Sequence, residues 1–66
     1  MEVTVNNINF GKKTVKLQSD ITEELIEKLQ LNDDSVIIIG KSGKIYTKDE
    51  NIKEEEITVV EVFSGG

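Results

Sequence analysis

Apolar residues recur with the spacing of a strand near both ends of this chain and with the spacing of a helix only once between them. Residues 1–5 alternate between apolar and polar side chains, the period-two pattern of a half-buried strand, and residues 14–18 repeat it. Asn and Gly in residues 6–12 can supply the positive φ that a hairpin connection needs. The first two strands are therefore predicted to form an antiparallel hairpin, and one helix must cover the sheet.

The single helical segment has apolar residues three and four positions apart, at Ile21, Leu25, Ile26 and Leu29. We predict Asp20 as the N-cap, with Glu23 three residues later as its partner in a capping box. Glu24 and Lys28 are an i,i+4 pair of opposite charge, in the order that suits the helix dipole. These features predict one helix that begins near Asp20.

Three further strands are predicted after the helix. Residues 35–39 contain a run of β-branched apolar residues that is typical of a central strand, with either both faces covered or one face reserved for a partner. A short strand runs through Ile45 and Tyr46, and residues 57–63 form the last strand. We expect one domain over residues 1–63 and a flexible Gly-Gly tail over residues 64–66. The first and last strands are expected to be parallel neighbours at the sheet centre.

Composition excludes several classes of function. The 66 residues include no Cys and no His, so the chain has neither a thiolate nor an imidazole for nucleophilic catalysis or zinc binding. The net charge of −5 argues against nucleic-acid binding, which needs clustered positive charge. No apolar run is long enough for a membrane span. We expect a cytoplasmic protein that holds no metal and is not an enzyme, with its acidic turn residues as solvated charges.

The alternation in the last strand also predicts which residues face outward. If Ile57 and Val59 face the helix, Val60 and Val62 lie on the opposite face of the sheet. The strand over residues 35–39 should be its neighbour, with either Ile37 and Ile39 or Val36 and Ile38 also outward. We hypothesise an exposed apolar patch that binds a partner. Phe63 either anchors in that partner or folds back on the sheet edge.

The order of elements is that of a β-grasp, and the last strand leads into Ser64-Gly65-Gly66. Residues 52–66 resemble the C-terminal pattern of the ThiS sulfur carriers: an anchoring apolar residue, an acidic turn and a β-rich strand before a small residue and Gly-Gly. The chain is thus similar to the ThiS and MoaD carriers of the ubiquitin-like superfamily, with the ThiS branch most similar. The resemblance implies a mixed sheet of four to five strands with one main helix on one face.

The resemblance also implies a function. Gly66 would be adenylated by a ThiF- or MoeB-like enzyme that uses ATP and magnesium, and a sulfur donor would then convert it to a thiocarboxylate. A downstream synthase would take the sulfur for a thiamine-like or molybdopterin-like cofactor, or for tRNA thiolation. Gly65 and Ser64 would give the tail access, because glycine has no Cβ and can thread a narrow channel. Four residues beyond the sheet reach about 13 Å.

Two alternatives to sulfur transfer stay open from the sequence. The same acyl-adenylate would serve a ubiquitin-like modifier that is joined through Gly66 to lysines on target proteins. A non-covalent adaptor with an inert tail is the third possibility. In all three the chain itself binds no cofactor.

Overall fold

The computed structural model describes residues 1–62 of the chain. Five strands form a single sheet, and one α-helix lies on one of its faces. In chain order the elements are β1 (Glu2–Asn7), β2 (Gly11–Lys16), α1 (Thr22–Lys28), a 3-10 turn (Asp33–Ser35), β3 (Val36–Gly40), β4 (Ile45–Tyr46) and β5 (Glu56–Glu61). This agrees with the predicted order of hairpin, helix and three strands.

The sheet is mixed, with the strand order β2-β1-β5-β3-β4. β1 pairs antiparallel with β2 and parallel with β5, while β3 pairs antiparallel with both β5 and β4. The prediction that the first and last strands are parallel neighbours at the centre is confirmed. The chain is therefore an α+β protein with a five-stranded mixed sheet and one helix, an arrangement that is compatible with the expected β-grasp.

The core lies between the sheet and α1. On β1 and β5, alternate residues are almost fully buried because they face the helix, as the period-two pattern predicts. The helix contributes Leu25 and Ile26, and the long connection before β5 contributes Ile52. Within residues 1–62 the buried apolar residues are Val3, Val5, Val15, Leu17, Leu25, Ile26, Ile38, Tyr46, Ile52, Ile57 and Val59.

The start of α1 differs from the prediction that Asp20 is its N-cap. Ile21 occupies that position and makes no side-chain cap. Asp20 instead has φ 60°, and its carboxylate lies 3.2 Å from the Met1 amine. The prediction was wrong because the free amides of the first helical turn find their partners elsewhere.

Backbone carbonyls of the connection between β4 and β5 accept those amides. Thr22 N–H donates to the Glu50 carbonyl at 2.9 Å and Glu23 N–H to the Lys48 carbonyl at 3.1 Å. The Thr22 hydroxyl donates to the same Glu50 carbonyl at 2.8 Å. The connection between β4 and β5 therefore caps the helix with its backbone carbonyls in place of a side chain.

Glu24 supports the segment that enters the helix. Its carboxylate accepts hydrogen bonds from the Ser19 hydroxyl and from the backbone N–H groups of Gln18 and Ser19. These bonds favour the ionised form and lower the pKa of Glu24 to about 2. The predicted pair with Lys28 is confirmed, with 3.4 Å between Lys28 Nζ and Glu24 Oε2.

The helix ends in a Schellman motif. Gln30 has φ 56°, and its N–H donates to the Glu27 carbonyl at 3.0 Å. Leu31 N–H donates to the Ile26 carbonyl at 3.0 Å, and its side chain packs against the core. Since α1 has only seven residues, no helix within residues 1–62 has the length and apolar character needed to cross a membrane.

Candidate functional site

The sheet face opposite α1, called here the open face, carries the outward residues predicted on β5. Ile57 and Val59 face the helix and are buried. Val60 is 39% exposed and Val62 is 46% exposed. Both predicted outward residues therefore lie where the alternation of the strand requires.

On β3 the structure selects one of the two alternatives left open by the sequence. Ile38 is 2% exposed and faces the core, whereas Ile37 is 37% exposed and Ile39 is half-buried. The register pairs Ile37 with Val60, and Ile39 with Thr58. Directly paired residues of neighbouring strands point to the same face, so Ile37 lies beside Val60 on the open face. The pair Ile37 and Ile39 faces outward, not Val36 and Ile38.

Ile45 belongs to the same surface and was missed in the sequence analysis. It pairs with Ile39 across β3 and β4 and is 60% exposed. The sequence held the necessary signal, because burying the neighbouring Tyr46 in the core sends Ile45 to the other face. We define the open-face patch as Ile37, Ile39, Ile45, Val60 and Val62.

The other half of the open face is polar. Here Thr4 of β1 pairs with Thr14 of β2, and Glu2 pairs with Lys16. Asn6 is also on this side, and its side-chain amide donates to a Glu56 carboxylate oxygen at 3.0 Å. The apolar half thus covers β3, β4 and the end of β5 only, which gives the open face a distinct boundary.

The last described residues of the chain are held in place at the end of β5. Val62 N–H donates to the Ser35 carbonyl at 2.7 Å, which extends the pairing with the start of β3. The Glu61 carboxylate accepts hydrogen bonds from the side-chain amides of Asn7 and Asn9. These contacts hold Glu61 and Val62 against the start of β3 and the hairpin tip.

Asn7 organises the hairpin tip beside this point. Its side-chain oxygen accepts the backbone N–H of Asn9 at 2.6 Å and of Phe10 at 3.3 Å, an Asx-type turn. Its amide donates to the Val59 carbonyl at 3.1 Å. Asn7 is only 5% exposed, so a buried polar group joins the hairpin to β5. The turn leaves Ile8 96% exposed at the same end of the sheet as Val62.

The predicted chemistry of the tail lies outside the described residues. Phe63, Ser64, Gly65 and Gly66 follow directly after Val62 in the sequence. The expected adenylation site at Gly66, the access residues Gly65 and Ser64, and the two alternatives for Phe63 stay predictions. The structure describes the body that precedes them.

The acidic turn residues are more than solvated charges. The Glu54 carboxylate accepts hydrogen bonds from the Ser42 backbone N–H and hydroxyl, both at 2.8 Å, and from the Tyr46 hydroxyl at 2.9 Å. The bonds from Ser42 lower the pKa of Glu54, while burial raises the pKa of Tyr46. A Cβ at Gly40 would collide with Glu54 Oε2, so a larger residue there would require the Glu54 carboxylate to move.

Glu50 plays a similar part in the connection that precedes β5. Its carboxylate accepts the Thr47 backbone N–H at 2.9 Å and lies 2.9 Å from Lys44 Nζ. The bond from the Thr47 backbone, followed by those from Lys44 and the Thr47 hydroxyl, lowers the pKa of Glu50 to about 2. Over residues 1–62, no group of three or more acidic side chains is arranged to hold a metal ion.

Neither the family models nor the curated proteins that were compared with this chain gave a match.

Proposed function

We propose that this chain is a β-grasp carrier protein of the ThiS type, whose C-terminal Gly66 is adenylated by a partner enzyme and converted to a thiocarboxylate. The observation that carries the proposal is the position of β5. It is a central strand, parallel to β1, and its exposed valines stand immediately before Phe63-Ser64-Gly65-Gly66. A rigid body and a slender carboxyl end are thereby joined without a linker.

The strand order supports the β-grasp part of the proposal. A hairpin, one helix across one face, and a last strand inserted parallel to the first make up this arrangement. The sequence resemblance of residues 52–66 to the ThiS pattern is the second support. The fold alone would not carry the function, because one fold serves many functions.

The chemistry assigned to Gly66 takes place in two steps. A carboxylate oxygen attacks the α-phosphorus of ATP and pyrophosphate leaves, which converts a poor acyl donor into a mixed anhydride. Sulfide-level sulfur from a donor then attacks the acyl carbon and AMP leaves, so the terminus becomes a thiocarboxylate. The partner enzyme supplies ATP, magnesium and the closed pocket that excludes water. This chain supplies the acyl group and the surface by which the partner holds it.

The open-face patch is the surface that the partner would hold. Its five residues are apolar and at least partly exposed, and they lie together on β3, β4 and the end of β5. Within residues 1–62 no other element covers this face. A partner enzyme would bind Ile37 and Val60 through apolar groups of its own. Its ATP-binding pocket would then lie within reach of the tail, which extends roughly 13 Å.

The intact mass of the protein isolated from its native host tests the function most directly. A species heavier by the difference between sulfur and oxygen is the expected result. Conjugates joined through Gly66 to lysines would instead support a ubiquitin-like modifier. A natural chain that continues beyond Gly66 without being trimmed would overturn the proposal.

The patch has its own test, which uses ATP–pyrophosphate exchange in an extract of the native host. Val60→Asp should keep the fold and reduce exchange strongly, since it puts a charge at the centre of the patch. Thr14→Asp is the matched control, because it adds the same charge to the polar half of the open face. A chain without Gly65 and Gly66 should give no exchange. Equal exchange by Val60→Asp and Thr14→Asp would exclude the patch as the docking surface.

A further inference from the structure

The long edge of the sheet is formed by β2, and nothing in the proposed function uses it. In the order β2-β1-β5-β3-β4, one side of β2 pairs with β1 and the other has no strand among residues 1–62. All six residues of β2 pair with β1. The opposite edge, β4, has only two residues. An open edge of this length can accept a further strand.

The hydrogen bonds between β1 and β2 determine which backbone groups of this edge are free. The Met1 amine donates to the Leu17 carbonyl and Leu17 N–H donates to the Met1 carbonyl, both at 2.7 Å. Residue pairs in an antiparallel ladder alternate between hydrogen-bonded and non-hydrogen-bonded, so the pair Val3 and Val15 also exchanges backbone hydrogen bonds. Thr4 N–H points the other way, to the Glu55 carbonyl at 2.7 Å, as this alternation requires. The outward backbone groups of β2 therefore belong to Lys12, Thr14 and Lys16.

The same edge carries a concentration of positive charge in an acidic protein. β2 contains Lys12, Lys13 and Lys16 and no acidic residue, although the chain has a net charge of −5. Lys28 of α1 adds a fourth ammonium group, which donates to the Lys16 carbonyl and is paired with Glu24 at 3.4 Å. Among residues 1–62, Glu2 is the acidic side chain paired with Lys16, at 3.9 Å and well exposed. An exposed pair of this kind neutralises the edge weakly.

We propose that the β2 edge binds an acidic peptide segment in extended conformation, which adds to the sheet as a further strand. Backbone hydrogen bonds to Lys12, to Thr14 and to the N–H of Lys16 supply the pairing, as in other strand additions, while the Lys16 carbonyl already accepts Lys28. The lysines select the partner by charge. They disfavour a second copy of this chain, because two β2 edges in contact would bring their lysines together, whereas carboxylates on the incoming strand would neutralise them.

The alternation of side chains sets the pattern of the peptide. Residues opposite Lys12, Thr14 and Lys16 point to the open face, so acidic side chains are expected at the two positions of the added strand that lie opposite Lys12 and Lys16. The remaining positions face the helix side. A surface cavity of about 550 Å³ lies at the end of β2 and is lined by Met1, Glu2, Lys16, Leu17, Gln18 and Lys28.

The binding test uses the whole chain, labelled with nitrogen-15, and a blocked peptide in which Glu alternates with Val and Thr. We expect the amide protons of Lys12, Thr14 and Lys16 to shift downfield and exchange more slowly, because they become hydrogen-bonded. The amide of Val15 already bonds to β1 and should change less. The same peptide with Lys in place of each Glu is the control and should not bind. Absence of any shift at millimolar peptide would overturn the proposal.

Two variants of the chain separate pairing from charge. Thr14→Pro removes an outward N–H and obstructs strand addition without removing a bond to β1, so it should abolish binding. Lys12→Gln with Lys16→Gln should weaken binding roughly threefold to tenfold, whereas Lys41→Gln on the other half of the sheet should not. If Thr14→Pro does not fold, a peptide N-methylated at its pairing positions replaces it. Binding that maps to Ile37 and Val60, equal binding of the lysine peptide, or dimerisation through β2 would each refute the proposal.

Discussion

Val59 and Val60 are neighbours on β5, yet Val59 is 2% exposed and Val60 is 39% exposed. The same contrast recurs on β3, where Ile38 is buried and Ile37 is not. The helix covers one face of the sheet, and no element of the described residues covers the other. The same residue type is therefore buried in the core on one face and exposed on the other, and a shift of one position along the strand changes its face.

The comparison separates stability from recognition. On the helix side, removing a methyl group leaves a cavity in a close-packed core, and a small domain has little stability to lose. On the open face, the same removal changes a surface that already contacts water. Residues of the open-face patch can therefore be selected for a partner with little effect on folding.

The largest expected effect comes from a core residue of β5. Ile57→Ala should lower the free energy of unfolding by about 2–5 kcal/mol, because Ile57 is fully buried. Val60→Ala on the same strand is the matched control and should cost less than about 1 kcal/mol. Urea denaturation at neutral pH measures both. A Val60→Ala loss as large as that of Ile57→Ala would contradict the division between the two faces.

A second comparison uses two adjacent asparagines. Asn7→Ala should cost about 1–3 kcal/mol, because it leaves the Val59 carbonyl and the turn amides without a partner. Asn6 lies on the open face, where water can replace its bond to Glu56. Asn6→Ala should therefore cost clearly less in the same urea experiment. Equal losses would mean that the hairpin tip is not held by the buried side of β1.

Acid should weaken the helix side before the open face. The pKa of Glu24 is lowered to about 2, so the stability that its ionised form contributes is complete above about pH 4.5 and is lost as the pH falls towards 2. Glu24→Gln should reduce this acid loss of stability, as measured by urea denaturation at pH 7, 4 and 3. Glu2→Gln, at the exposed pair with Lys16, is the control for the removal of a surface carboxylate.

If Glu24→Gln and wild type lose stability in parallel below pH 4.5, the connection into α1 does not depend on this carboxylate. Glu50, whose pKa is also lowered to about 2, would then be the next carboxylate to replace.

The sequence was sufficient for the order of elements and for the faces of β5. Period-two alternation fixes both once the helix side is known, and the single helical segment leaves no other choice for the covering layer. It was not sufficient for β3, since in a run of four β-branched residues every position is apolar and either alternation satisfies the pattern. The register with β5 supplies the missing information, because Ile38 pairs with Val59 and Ile37 with Val60.

The prediction for the helix start failed for a different reason. Asp20 is a suitable residue type at the right distance from Glu23, but capping depends on which acceptor lies within hydrogen-bond distance of the amides in the folded chain. The connection before β5 brings backbone carbonyls to Thr22 and Glu23, and these contacts join segments far apart in the chain. Such a long-range contact cannot be predicted from the residues around Asp20 alone. For the same reason the sequence predicts the acidic turn residues Glu50 and Glu54 as solvated charges, whereas both accept hydrogen bonds from neighbouring turns.

Substitution of Ile45 has the smallest expected effect on stability, and it tests whether β4 belongs to the open-face patch. Ile45→Thr keeps a β-branched side chain on a strand where 60% of the residue is already exposed, so the free energy of unfolding should change by less than about 0.5 kcal/mol. If the open-face patch binds the proposed adenylating partner, the same variant should still reduce ATP–pyrophosphate exchange. A variant that loses stability but keeps exchange would assign Ile45 to the fold and not to recognition, and the boundary of the patch would then lie between β3 and β4.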